Sequence, residues 1–411
     1  MIEFKKRVLD NGLRVIVHED KSSPLAAFNL LYDVGARDEN PNKTGFAHLF
    51  EHLMFGGSKH VNDYDTPLQK AGGESNAFTS NDVTNYYEIL PAANIETAFW
   101  LESDRMLSLS FDPKVLRVQK DVVCEEFKER YLNQPYGDTW LNLRPLAYEH
   151  HPYKWATIGK SLDHIENATM DDVKDFFYKH YRPNNAILCV AGNVKADHMF
   201  KLAEKWFGPI PSGKKIIREI EKEPKQTNAR YLKLERNVPY DNIIKAFHMC
   251  SRKDKSYYAT DVVTDVLSLG QSSRFNQKLI KEKKLFISLD AYITGNIDPG
   301  LLVIDGKPME GVSIKVAEEA ILEELALIKE SVSDYELQKV KNKLESQHRF
   351  GLMEIMNKAM ELCFFELIDD IEGVNSNMDY YHQLQVADIQ TCAKNILTDT
   401  NCSTLHYLKK S

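Results

Sequence analysis

The run Thr44-Gly45-Phe46-Ala47-His48-Leu49-Phe50-Glu51-His52-Leu53-Met54-Phe55-Gly56-Gly57 places two histidines and a glutamate in an otherwise apolar segment. The pattern predicts a helix with Thr44 as its N-cap and Gly56-Gly57 as its stop. On that helix His48 and His52 share one face, one turn apart, and Glu51 lies at the edge of the same face. Leu49, Phe50 and Leu53 cover the opposite side and turn toward a core. Two imidazoles at this spacing can reach one tetrahedral metal ion at about 2.0–2.1 Å each, while a glutamate between them serves water rather than the metal. Such a centre needs a third protein ligand and one open position. The bland alternative is a row of polar residues on the solvent side of an amphipathic helix.

Composition narrows what surrounds this helix. At 411 residues the chain is too long for one core and suggests two or more domains. Hydrophobic residues make up 43% and charged residues 27%, which fits a soluble globular protein and argues against disorder. A net charge of -8 argues against a general affinity for nucleic acid or anionic membrane. No apolar run approaches the roughly 18 residues of a membrane-spanning helix. Met1-Ile2-Glu3-Phe4-Lys5-Lys6-Arg7 leads straight into strand-like sequence, so the chain as written reads as cytoplasmic; a periplasmic protein whose signal had been removed would look the same. Cys124, Cys189, Cys250, Cys363, Cys392 and Cys402 are scattered without a Cys-x-x-Cys pair, as expected of reduced, mostly buried thiols.

The pattern predicts strands at Leu13–Val17 and Ala26–Tyr32, a strand pair at Asn76–Ser80 and Thr84–Leu90, and a buried strand at Asn185–Gly192. Helices are expected over 92–107 and 113–131, the second opened by Asp112-Pro113. The segment 209–229, beginning Pro-Ile-Pro-Ser-Gly-Lys-Lys, has a linker's composition. Beyond it the opening order recurs: Tyr231–Leu234, a turn at Val238-Pro239, the strand Ile243–Met249, then a helix near 256–269. The reading is therefore a first domain over 1–210, a linker over 211–228 and a second domain over 229–411. The linker is expected to be the site of first proteolytic cleavage.

The ordered set His-x-x-Glu-His is the inverted zinc-protease pattern, His-Glu-x-x-His reversed. With it stand Gly72-Gly73-Glu74-Ser75-Asn76-Ala77-Phe78-Thr79, Thr84-Asn85-Tyr86-Tyr87, Asp121-Val122-Val123-Cys124-Glu125-Glu126, His151-Pro152-Tyr153 and Ser272-Ser273-Arg274. In these pieces, and in their order, the chain resembles the pitrilysin or insulinase-like zinc metallopeptidases, family M16, and within them the group of the mitochondrial processing peptidase. The resemblance implies an α+β fold of two homologous α/β domains (the LuxS/MPP-like metallohydrolase fold), each a mainly antiparallel sheet packed with helices.

The resemblance also implies Zn2+ held by His48, His52 and a distal glutamate, with Glu51 as general base to a zinc-activated water in a metalloendopeptidase. Stepping along the helix after Pro113 gives Val115, Gln119, Val122, Glu126 and Glu129. Matching Asp121–Glu126 to the family's segment selects Glu126, with Glu129 as fallback and Glu125 pointing away. A supporting glutamate common in the family is here Gln119. Asn76, Ala77, Phe78 and Thr79 are expected to bind substrate, on an edge strand onto which an extended peptide adds.

In the family an Arg and a Tyr from a second homologous half or subunit complete the site. The matching positions in this chain hold Ile280 and Ile287, which cannot donate hydrogen bonds. That departure implies a heterodimer with a homologous subunit supplying Arg and Tyr. A homodimer using a group such as Arg274 is the alternative partner, and a non-catalytic assembly subunit is the alternative function.

Overall fold

The strands segregate into two sheets with the same topology. The computed structural model describes residues 1–410. The first sheet has six strands, β1 (Lys5–Val8), β2 (Arg14–Glu19), β3 (Leu25–Tyr32), β4 (Glu74–Thr79), β5 (Thr84–Pro91) and β6 (Ala186–Gly192), in the order β1-β2-β6-β3-β5-β4. Only β2 and β6 run parallel. The second has five strands, β7 (Arg230–Arg236), β8 (Asn242–His248), β9 (Phe286–Ile293), β10 (Leu301–Pro308) and β11 (Cys402–Lys409), in the order β7-β11-β8-β10-β9, with only β7 and β11 parallel. The last strand slots between β2 and β3 in the first sheet and between β7 and β8 in the second, a hairpin closes one side of each, and β1 is an extra outer strand of the first. The repeat expected from element order is thus a repeat of topology, and the fold is α+β with two mainly antiparallel domains.

The helices are α1 (Phe46–Leu53), α2 (Asp65–Lys70), α3 (Glu96–Leu107), α4 (Pro113–Phe127), α5 (Thr139–Ala147), α6 (Leu162–Glu166), α7 (Met170–His180), α8 (Ala196–Phe207), α9 (Ser256–Ser268), α10 (Ile314–Glu330), α11 (Asp334–Gly351), α12 (Ile355–Leu367), α13 (Gly373–Gln383) and α14 (Val386–Ile396). Every residue of β6 is buried, so both faces of the first sheet are covered. On one face Phe28 meets Phe99 of α3, at 5.0 Å between ring centroids, and Phe207 of α8. On the same side Phe50 of α1 stacks on Tyr181. The other face is covered by α12, where the Cys363 thiol lies 3.8 Å from the carbonyls of Asn29 and Ile187.

The second sheet shows the two-residue period of a strand buried on both sides. Ile243, Phe247, Leu302 and Ile304 join α9, α10 and α14 in one core. Ile244, Ala246, Leu301 and Val303 join Leu143, Ala147 and Tyr148 of the α5 region in another.

These coverings redraw the contiguous domains expected from the linker. The first compact unit is 1–129, 155–221 and 349–375; the second is 130–154, 222–348 and 376–411. Each sheet borrows a helix from the other half of the sequence, α12 for the first and α5 for the second. A helix's periodicity shows that it has an apolar face but not which sheet that face will meet, so sequence alone assigned both helices to their neighbours along the chain.

The linker is a stapled strap with no regular secondary structure from 211 to 229. The Asn184 side chain brackets Gly213, and Arg218 pairs with Asp33 and Asp38 at 2.8 and 2.6 Å. Further on, Glu223 accepts from the backbone N–H groups of Glu149, His150 and His151, each at 2.9 Å, and Gln226 donates to the Cys402 carbonyl. Between staples the chain is exposed, including Lys214, Lys215, Lys222 and Lys225. Trypsin is expected to cut slowly at these lysines, and Arg218→Ala should speed cleavage at Lys214 and Lys215 several-fold. Fragment masses over a digestion time course check this.

Candidate metal centre

Helix α1 owes its start to a residue in the turn before it, not to the expected cap. Thr44 was the expected N-cap, but Gly45 holds that position in the left-handed region at φ 88°, and a Cβ there would sit 2.6 Å from the Ile158 carbonyl oxygen. The Thr44 hydroxyl instead accepts from the Lys160 N–H at 3.0 Å. The helix is capped by Glu39, whose carboxylate accepts from Gly45 N and Ala47 N at 2.9 Å and from Trp155 Nε1 at 3.1 Å. Burial pushes the Glu39 carboxyl up to about 8, against the pull of the N–H groups of Ala47, Gly45 and Trp155. Glu39→Ala would strand these buried donors. It is expected to cost about 2–3 kcal/mol of stability and to weaken metal binding through fraying of α1, checked by urea unfolding and zinc titration.

At its other end α1 stops at Met54, and Gly57 takes φ 97°. Gly56 serves packing: a Cβ there would lie 2.4 Å from Val115 Cγ1, so α4 can approach only because this residue has no side chain. Asp112 caps α4 through Lys114 N at 2.7 Å, with Pro113 at the first helical position, as expected.

The close approach of α1 and α4 brings His48, His52 and Glu126 together, with one ligand atom from each lying within 4.8 Å of the other two. Glu126 Oε2 is 3.7 Å from His48 Nε2 and 3.4 Å from His52 Nε2. A tetrahedral zinc with bonds of about 2.0–2.1 Å holds its ligand atoms about 3.3 Å apart. The same carboxylate oxygen thus faces both Nε2 atoms at nearly the spacing one ion imposes, and the donor set is of the kind zinc takes in catalytic sites. The three side chains are 13, 24 and 16% exposed, so solvent reaches the group. Among the described residues no other cluster of His, Cys, Asp and Glu meets this criterion.

Glu51 stays outside that donor group; its Oε2 accepts from the Thr79 hydroxyl at 2.6 Å. Glu125 is exposed and pairs with Lys128 at 2.8 Å. Glu129, the expected fallback, is exposed on the π-helical turn Lys128–Leu132 and lies outside the group. Gln119 is half-buried on α4. Asn76, Ala77, Phe78 and Thr79 lie on β4, which pairs only with β5 and is the sheet's edge. They divide between two faces: Asn76 and Phe78 are exposed, whereas Ala77 and Thr79 are half-buried. The Ala77 N–H is held by the Asn76 side chain at 2.8 Å, which marks it as an outward donor of that edge.

Beneath α1 lies a buried polar cage that sequence reading missed. Arg105 grips Glu102, with Nε 2.7 Å from Oε2. The Arg105 guanidinium also lies over the rings of Phe55, Tyr64 and Tyr86 at 5.2, 4.6 and 4.4 Å. The Tyr64 hydroxyl bridges Glu102 and Glu88, and burial together with the neighbouring Glu102 raises the Glu88 carboxyl far above the usual range. The Tyr86 hydroxyl donates to the Phe50 carbonyl at 3.3 Å, linking the cage to α1. Its sequence signal was a Glu and an Arg three apart on α3, which reads equally well as an exposed helix pair.

In the second unit, Ile280 is partly buried against the core and Ile287 is exposed on β9. Arg274, the alternative substrate-holding group, is committed elsewhere. It makes two bonds to Glu336, at 2.7 and 3.0 Å, and Glu336 also accepts from Ser333 N near the start of α11. Partial burial would raise the Glu336 carboxyl, but the bonds from Arg274 and Ser333 prevail and hold it down to about 2.

Comparison with known proteins places the whole chain in a family. Residues 14–153 match the family described as Insulinase (Peptidase family M16), and residues 167–344 match the one described as Peptidase M16 inactive domain. The second match falls on the part of the chain without His48, Glu51, His52 and Glu126. The zinc protease PqqE of Helicobacter pylori is 29% identical over 406 residues, covering 97% of this chain and 91% of that protein. A probable mitochondrial-processing peptidase subunit beta of Arabidopsis thaliana is 23% identical over 360 residues, covering 84% and 66%. The crystal structure of a protease from Helicobacter pylori superposes with a TM-score of 0.94 at 27% identity, covering 99% of this chain and all of that one. With both halves matched in order, the chain belongs to peptidase family M16.

Proposed function

We propose that this chain is the zinc-bearing, catalytic subunit of an endopeptidase that cleaves peptides or unfolded segments. The observation that carries this reading is the convergence of His48, His52 and Glu126, with Glu51 beside them but outside the donor group. His48, His52 and Glu126 would hold the ion, which when bound supplies the Lewis acidity that makes water a usable nucleophile near neutral pH. Glu51 takes a proton from the attacking water as the new C–O bond forms, then delivers it to the amide nitrogen as the C–N bond breaks. The β4 edge aligns the peptide in extended form, with a substrate carbonyl replacing the Asn76 side chain on the Ala77 N–H.

A partner is part of the proposal. Ile280 and Ile287 offer no donor to a substrate carbonyl, so a homologous subunit carrying Arg and Tyr would supply that grip. Support for a multi-subunit reading comes from the similarity to a protein named as a processing-peptidase beta subunit. No helix among the described residues is long and apolar enough to cross a membrane.

The test is zinc analysis of the purified chain together with hydrolysis of an unstructured peptide, with and without such a subunit. One zinc per chain, weak turnover alone and at least about tenfold more with the partner are expected. Full turnover by the chain alone would remove the partner and leave the zinc reading intact. Absence of both zinc and turnover under every condition would favour the non-catalytic assembly subunit.

A further inference from the structure

We propose that Thr79 is a positioning residue: its hydroxyl sets the plane of the Glu51 carboxylate and so couples the base to the strand that carries the substrate. This rests on the reading of Glu51 as base. The bond from Thr79 Oγ1 to Glu51 Oε2 is 2.6 Å, in the range of a strong hydroxyl–carboxylate hydrogen bond. A glutamate on a partly open helix face has three rotatable bonds to its carboxylate and can point in many directions. Threonine is β-branched and stiff at χ1, so its hydroxyl goes where the backbone sends it.

That backbone is well anchored. Thr79 pairs with Thr84 across the β4–β5 ladder, and Thr84 is fully buried with its own hydroxyl on the Val34 carbonyl at 2.9 Å. Alternation along β4 turns Ser75, Ala77 and Thr79 to the half-buried side and Glu74, Asn76 and Phe78 outward. A peptide added to this edge meets Thr79 through its backbone, while the Thr79 side chain is already engaged with α1. Thr79 therefore leaves the set of side chains that grip substrate and joins the one that aims the base.

The test compares Thr79→Val, which keeps the shape and loses the donor, with Thr79→Ser, which keeps the donor. Both are made in the full-length zinc-loaded chain, with its partner subunit where turnover needs one. Thr79→Val is expected to lower kcat about 10- to 100-fold, with KM within about twofold of wild type and zinc content unchanged. Thr79→Ser should recover kcat to within about threefold. In an inactive Glu51→Gln background, adding Thr79→Val should leave the Kd for an unstructured peptide unchanged, because the substrate grip is intact. Crystal structures of the zinc-loaded proteins give a readout that needs no turnover: one Glu51 side-chain conformation in wild type and Thr79→Ser, a rotated or divided one in Thr79→Val. An undisturbed Glu51 in Thr79→Val, equal damage in both variants, or weakened peptide binding would overturn the proposal. Turnover by Glu51→Gln would overturn the base assignment and this inference with it. An inactive Glu51→Gln beside a fully active Thr79→Val would overturn this inference alone.

Discussion

Glu51→Gln is expected to lower kcat by about 10²- to 10⁴-fold while the protein keeps one zinc per chain. The amide has nearly the same shape as the carboxylate and still accepts the hydrogen bond from Thr79, so α1 and β4 should stay in place. What it lacks is the basicity to take a proton from water. His48→Ala, His52→Ala and Glu126→Gln should behave differently, because each removes or weakens one of three converging donors and so depletes the metal. Metal analysis beside steady-state kinetics on the four variants checks this. Loss of zinc from Glu51→Gln would move Glu51 into the donor group, and full occupancy in Glu126→Gln would send the search for the third ligand elsewhere.

Arg105→Met is expected to destabilise the first unit by about 3–5 kcal/mol, the cost of removing one partner from a buried charge pair. Arg105 is 1% exposed, as is Glu102, and Glu88 is fully buried beside them. Without the guanidinium the cage holds two adjacent carboxyls, bridged by the Tyr64 hydroxyl, in a low-dielectric site with no counter-charge from Arg105. Three aromatic rings also lose the cation they pack against. Because Tyr86 connects the cage to the Phe50 carbonyl, the loss should reach α1 and weaken zinc binding as well. Urea unfolding monitored on the aromatic residues checks the first effect, and zinc titration the second. Combining Arg105→Met with Glu102→Leu should recover part of the stability, since an apolar pair does not need the missing counter-charge. No recovery would indicate that the rings and Glu88, rather than the ion pair, set the cost.

Much of the site was legible before the fold was known because its chemistry is local. Four residues separate His48 from His52, and helix geometry alone puts them on one face. Leu49, Phe50 and Leu53 oriented that face, and all three are buried. The strap was harder to read. Pro, Gly and charged residues signal the absence of regular structure, and the segment has none. Composition could not show that Arg218 and Glu223 would find partners roughly 70 to 185 residues away along the chain. The cap of α1 was misread at shorter range. Thr44 satisfied the local rule for an N-cap, but the buried carboxylate of Glu39, brought in by the turn before it, took the amide groups first.

By itself the sequence determined the opening order of strands and helix in each half, the recurrence of that order, and the pair of histidines with a glutamate between them. All of these follow from periodicities of two and 3.6 residues and from side-chain type. Selecting Glu126 from the acidic residues of α4 needed the family resemblance as well, because spacing alone left Glu129 open. Only the tertiary structure decided that Gly56 lets α4 close on α1, that α12 and α5 cross to the other half's sheet, and that Thr79 reaches Glu51. It also decided that Arg274 pairs with Glu336. The physical reason is range: backbone geometry and amphipathicity act over a turn or a strand, whereas each of these contacts joins elements far apart in sequence and exists only once the cores have packed.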